Sequence, residues 1–111
     1  MNAKDFIGKV VEVSIDRPLG SKHPKFNYTY PVNYGFIEGV MGKDGEYLDA
    51  YVLGVNKPLK SFRGKCIALI ERLDDNDDKL IVVPEGLSLT KEQIEKEVKF
   101  QEQYFTSIIH F

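Results

Sequence analysis

The stretch from Tyr30 to Ala50 constrains this chain more than any other. It reads Tyr-Pro-Val-Asn-Tyr-Gly-Phe-Ile-Glu-Gly-Val-Met-Gly-Lys-Asp-Gly-Glu-Tyr-Leu-Asp-Ala. Its first half is an aromatic strand that belongs in a core. The two glycines inside that strand, Gly35 and Gly39, point to a bend or bulge. Its second half packs three acids, Asp44, Glu46 and Asp49, around a glycine. Asp49 is the sharpest of them. It lies inside the apolar run Leu48-Asp49-Ala50-Tyr51-Val52-Leu53, where an unpaired carboxylate is expensive.

The neighbouring segments supply the rest of a small β structure. From Lys9 to Asp16 the chain alternates, with Val11, Val13 and Ile15 on one face and Glu12, Ser14 and Asp16 on the other. That pattern is a half-buried strand. A loop with two prolines and the basic side chains Arg17, Lys22 and Lys25 follows. Asn33 to Val40, Leu48 to Val55, Lys65 to Ile70 and Leu80 to Val83 read as four further strands. A helix opens at Ser88-Leu89-Thr90, where Thr90 and Gln93 fit a capping box. Ile94, Val98 and Phe105, with Gln101, share one helical face, and the Glu92–Lys96 and Glu95–Lys99 pairs belong on the solvent side. At 111 residues one domain, spanning 1–111, is expected. Five short strands and one helix predict a mainly β (α+β) fold, a small five-stranded antiparallel barrel with the C-terminal helix covering its opening.

Charge and composition remove several function classes. The net charge is −2, so there is no basic excess for a nucleic-acid backbone. No apolar run approaches the roughly 20 residues of a membrane span, and the N-terminus lacks a signal-peptide pattern, so a cytoplasmic protein is expected. The single cysteine, Cys66, sits in an apolar run and reads as a small core residue.

A second acidic group, Asp74, Asp75, Asp77 and Asp78, forms a predicted hairpin tip. Turn chemistry alone explains either acidic group. Taken with Asp49, the acids ask for a cation, and oxygen-only ligands select a hard ion, Mg²⁺ first and Mn²⁺ second. Asp74, Asn76 and Asp78, with Glu85, imitate a calcium loop, but Lys79 stands where that loop needs glycine. Lys79 directly follows the acids, and cations beside metal-binding carboxylates make a site for a small polyanion such as phosphate. His23 and His110 have no partner at ligand spacing and read as non-catalytic.

Three segments resemble soluble family I inorganic pyrophosphatase. The first is Tyr30-Pro31-Val32-Asn33-Tyr34-Gly35-Phe36-Ile37. The second is the acidic signature Asp44-Gly45-Glu46-Tyr47-Leu48-Asp49-Ala50. The third runs from Asp74 through Asp77-Asp78-Lys79-Leu80-Ile81-Val82-Val83-Pro84. The chain is similar to a shortened, divergent member. Glu46 replaces the central Asp of the signature, Tyr47 replaces Pro or Glu, and a phosphate-binding arginine between Lys25 and Tyr30 is missing. The resemblance implies a five-stranded barrel of OB type. It also implies Mg²⁺-dependent hydrolysis of pyrophosphate by a water that metal ions activate. It assigns Asp44, Asp49, Asp74 and Asp77 as metal ligands, with Asp16 near the outer metals. Glu46, with Asp49, is the catalytic pair. Lys25, Tyr34, Lys79 and Tyr104 hold phosphate, and Arg17 or Lys22 stands in for the missing arginine. The family forms oligomers; the oligomeric state of this chain stays open.

Two readings follow: a metal-dependent pyrophosphatase, and a non-catalytic barrel that binds metal and a phosphate-containing ligand. Hydrolysis of another phosphoanhydride is a third. Either leading reading expects Asp44, Glu46, Asp49, Asp74 and Asp77 to converge on one cleft, with Lys79 and Lys25 at its rim.

Overall fold

A computed structural model describes residues 2–111. Its strands are β1 (Val10–Arg17), β2 (Asn33–Met41), β3 (Tyr47–Val52), β4 (Ser61–Arg72), β5 (Lys79–Val83) and β6 (Ser107–His110). The helix α1 spans Lys91–Glu102, and a 3-10 turn covers Ala3–Phe6. The sheet runs β1-β2-β3-β5-β4-β6, and β1 also pairs with β4, which closes the first five into a barrel. All pairs are antiparallel except β3–β5, which is parallel. Among the described residues, no helix is long and apolar enough to cross a membrane.

The strand periodicity sorts side chains to two faces. Val13 from β1, Ile37 from β2, Leu48, Ala50 and Val52 from β3, Cys66 and Leu69 from β4, and Leu80 and Val82 from β5 form one cluster. All five barrel strands contribute to it, so it is the barrel interior. The alternate residues form a second cluster: Tyr34, Tyr51, Leu53, Ala68, Ile70, Ile81 and Val83, joined by Ile94 and Val98 of α1. The helix therefore lies against the outer face of the barrel, and the expected cover over an opening is not what forms. The N-terminal turn packs on the interior cluster instead, through Ala3, Phe6 and Ile7.

Local chemistry accounts for the ends and bends. Thr90 and Gln93 form the expected capping box at the start of α1. The bend expected in β2 is a register shift between Ile37 and Met41, with Gly39 at φ +80°. Gly35 serves closure: a Cβ there would collide with the carbonyl oxygen of Ser14 on β1. β4 is longer than the apolar run from Lys65 to Ile70. Its charged ends are held by ladders, with Ser61 to Lys65 on β1 and Leu69 to Arg72 on β6. β6 is too short for its period to show in sequence.

Candidate active site

β5 begins at Lys79, and parallel pairing sets Lys79 beside Asp49 of β3. On β3, residues 48, 50 and 52 point into the barrel, which leaves Asp49, Tyr51 and Leu53 on the outer face. That resolves the acid in an apolar strand: Asp49 points outward, toward a partner. Lys79 is 1% exposed, and its Nζ donates to Asp49 Oδ2 at 2.8 Å and to Tyr34 Oη at 2.6 Å. It also pairs with Asp77 Oδ1 at 2.8 Å. An ammonium has three N–H groups, and here each has a partner.

Arg72, the last residue of β4, is the second buried cation. Its Nε and Nη2 fork onto the two carboxylate oxygens of Glu102 at 3.0 and 2.7 Å. Nη1 reaches Asp75 at 3.3 Å and Asp77 at 3.4 Å. The guanidinium lies 3.7 Å from the centroid of the Phe105 ring. Glu102 closes α1 and is itself buried, and it accepts a 2.6 Å hydrogen bond from Tyr51 Oη. Gln101 donates to Tyr51 Oη at 2.7 Å and accepts from Tyr28 and Tyr30.

Of these groups, Tyr34, Arg72, Asp77, Lys79, Gln101 and Phe105 line a cavity of about 700 Å³, and Asp49 and Glu102 lie outside its lining. Buried Tyr34, Arg72 and Lys79 make its floor, with Asp77 beside them. Asp16, Arg17, His23 and Tyr30 line it, and the exposed rings of Phe26 and Tyr104 stand at its rim. Burial raises the Asp49 carboxyl to about 6; Lys79 opposes this and the nearby Asp77 adds to it. Burial works on Asp77 in the same direction, but the hydrogen bond it shares with Asp49, the one from Lys79 and the charges of Lys79 and Arg72 hold it below the ordinary carboxylate value. Burial, with Asp49 next, pushes the Tyr34 phenol well above its usual value.

The expected convergence of five acids is only partly present. Asp49 and Asp77 meet at Lys79; Asp77 and Asp16 line the cavity, and Asp49 touches it only through Lys79. Asp44 and Glu46 lie exposed in the β2–β3 turn, outside the lining, where Asp44 Oδ1 accepts from the Glu46 amide at 3.0 Å. Asp74 is also outside it and accepts from the Thr106 amide at 3.0 Å. For Asp44 the reason is local, since short acids in turns bond to nearby amides; Asp74 is instead tied to the segment before β6. Lys25 and Lys22 are exposed on the loop before β2, and neither lines the cavity. Sequence reasoning missed Arg72 and Glu102, and it named Asp75 and Gln101 without a site role. Arg72 and Glu102 are separated by 30 residues and carried no motif. A glutamate on the turn after Val98, along the apolar helical face, was the available signal.

The family profile for inorganic pyrophosphatase matches residues 10–111. The chain belongs to the inorganic pyrophosphatase family. An inorganic pyrophosphatase of Streptomyces coelicolor is 38% identical over 60 residues, covering 50% of this chain and 36% of the relative. One of Halalkalibacterium halodurans is 30% identical over 97 residues, covering 68% and 59%. The chain thus spans between about a third and three fifths of these curated relatives. The fold is shared with the crystal structure of inorganic pyrophosphatase from Ehrlichia chaffeensis, at TM-score 0.69 and 19% identity over 91% of this chain and 84% of that one. That from Neisseria gonorrhoeae gives 0.68 and 22% over 87% and 74%.

Pyrophosphatases of this family are generally metal-dependent, so the donor set can be tested against a divalent ion. Among the described residues, no three His, Cys, Asp or Glu side chains gather to hold one. The two carboxylates that do meet, Asp49 and Asp77, are bonded to Lys79, and Asp77 also to Arg72. The arrangement does not fit a divalent ion: protein cations take the positions beside the acids.

Proposed function

We propose that the chain hydrolyses inorganic pyrophosphate to two phosphates in this cavity, with residues 1–111 acting as one cytoplasmic unit. The observation that carries this reading is the pair of buried cations, Arg72 and Lys79, beside Asp77 on the cavity wall of a member of this family. In the reaction a water oxygen attacks one phosphorus and the bridging P–O bond breaks. The leaving phosphate keeps the bridging oxygen. Arg72 is the ready donor to phosphate oxygen, since four of its five N–H groups have partners and one is left. Arg17 and Tyr104 meet the anion at the rim. Asp49, with its carboxyl raised to about 6, is ionised at neutral pH and basic enough to take the proton of the water. The resemblance gives that proton to Glu46, which lies in the β2–β3 turn outside the cavity.

The resemblance implies Mg²⁺, or Mn²⁺, on Asp16, Asp44, Asp49, Asp74 and Asp77. The test is phosphate release from pyrophosphate with Mg²⁺, with Mn²⁺ and with EDTA, for wild type, Asp49→Asn and Glu46→Gln. Wild type is expected to turn over, with Asp49→Asn slower by about a hundredfold or more. If wild type and Asp49→Asn release equally little, hydrolysis fails. A hundredfold loss in Glu46→Gln, with Asp49→Asn unaffected, would move the proton to Glu46.

A further inference from the structure

We propose that the cavity accepts a diphosphate that carries an aromatic ring, such as a nucleoside diphosphate, with the diphosphate at Arg72 and the ring against Phe26. This rests on the reading above that the floor receives a phosphoanhydride. Size is the first argument. At about 700 Å³ the cavity falls within the range that holds a whole organic ligand. The heavy atoms of bare pyrophosphate, at no more than about 30 Å³ each, fill less than half of it.

Charge is the second argument. The carboxylates of Asp49, Asp75, Asp77 and Glu102 already engage Arg72 and Lys79. Every N–H of Lys79 already has a partner. One N–H of Arg72 is left for phosphate, and contacts away from the phosphates add to the affinity.

The loop before β2 is built to supply them. Lys22 bridges to Thr29, and the His23 amide donates to Tyr28 O at 3.0 Å. His23 Nδ1 accepts from the amides of Lys25 and Phe26 at 3.0 and 3.1 Å. These bonds fix the hairpin tip, and the Phe26 ring stands on it, 4.9 Å from the His23 ring and nearly parallel to Tyr28. Phe26 is nevertheless 63% exposed at the cavity rim. A pre-ordered, uncovered aromatic face beside a phosphate floor is a surface on which a base stacks.

Equilibrium titration with methylene-bridged analogues, which resist hydrolysis, compares α,β-methylene-ADP with methylenediphosphonate. The ring-bearing analogue is expected to bind at least tenfold more tightly. Phe26→Ala should remove that advantage and leave methylenediphosphonate affinity unchanged, and Phe26→Trp should retain it. Circular dichroism checks that each variant is folded. Equal affinity for the two analogues, equal loss of both in Phe26→Ala, or no binding of either overturns the proposal. Pyrophosphate turnover without a ring preference sinks this inference alone. A ring preference without pyrophosphate turnover sinks the hydrolysis reading alone.

Discussion

Replacing Arg72 by methionine keeps an unbranched apolar stem and deletes the guanidinium and its charge. Arg72 is 6% exposed, and its guanidinium forks onto Glu102, which is 7% exposed. Removing one partner of a buried ion pair costs about 3–5 kcal/mol, because the other charge stays buried and unpaired. The Tyr51 hydroxyl, at 2.6 Å, still satisfies part of Glu102, which pulls toward the lower end. Loss of the guanidinium from the Phe105 face adds about 0.5–2 kcal/mol. The ties to Asp75 and Asp77, both partly exposed, add little. The expectation is about 4 kcal/mol. With a urea slope of about 2 kcal/mol/M, the unfolding midpoint falls by about 2 M. Glu102→Gln in the same background removes the orphaned charge. The double variant should then lose less than the two single losses added together, by about 2 kcal/mol. A midpoint shift under about 0.5 M, or strict additivity, refutes the idea that this pair ties α1 to the end of β4.

Three further outcomes are expected. The Asp49 carboxyl, raised by burial to about 6, ionises near 3.9 in an unfolded chain, so its contribution to stability is fully present below about pH 4 and is lost as pH rises through about 6. Asp49→Asn never ionises, so its stability relative to wild type should rise by roughly 1–3 kcal/mol between pH 4 and 7.5 in urea titrations; a constant difference would contradict the raised carboxyl. Gly35→Ala should lower thermal stability by about 3 kcal/mol or prevent folding, since its methyl meets the Ser14 carbonyl; unchanged melting would argue against closure between β1 and β2. Lys79→Met should slow phosphate release from pyrophosphate by about a hundredfold or more, and less than a fivefold change would remove Lys79 from the site.

Much of this protein was legible without its structure. Alternation in β1, the glycine-bent aromatic strand β2, and the Thr90–Gln93 box all report backbone periods and local hydrogen bonds, which neighbouring residues set by themselves. The acidic signature and the Lys79 segment carried the family. What sequence could not supply was which acids meet. Asp44 and Asp49 are five residues apart and looked like one group. A turn amide takes Asp44, while the parallel β3–β5 pairing delivers Asp49 to Lys79. Arg72 and Glu102 carried no motif, and only the packing of the end of α1 against the end of β4 joined them. Sequence thus determined the five barrel strands, the helix start and the kind of chemistry. Tertiary structure decided that two protein cations stand beside the acids, because long-range register, and not spacing along the chain, sets the distances between charges.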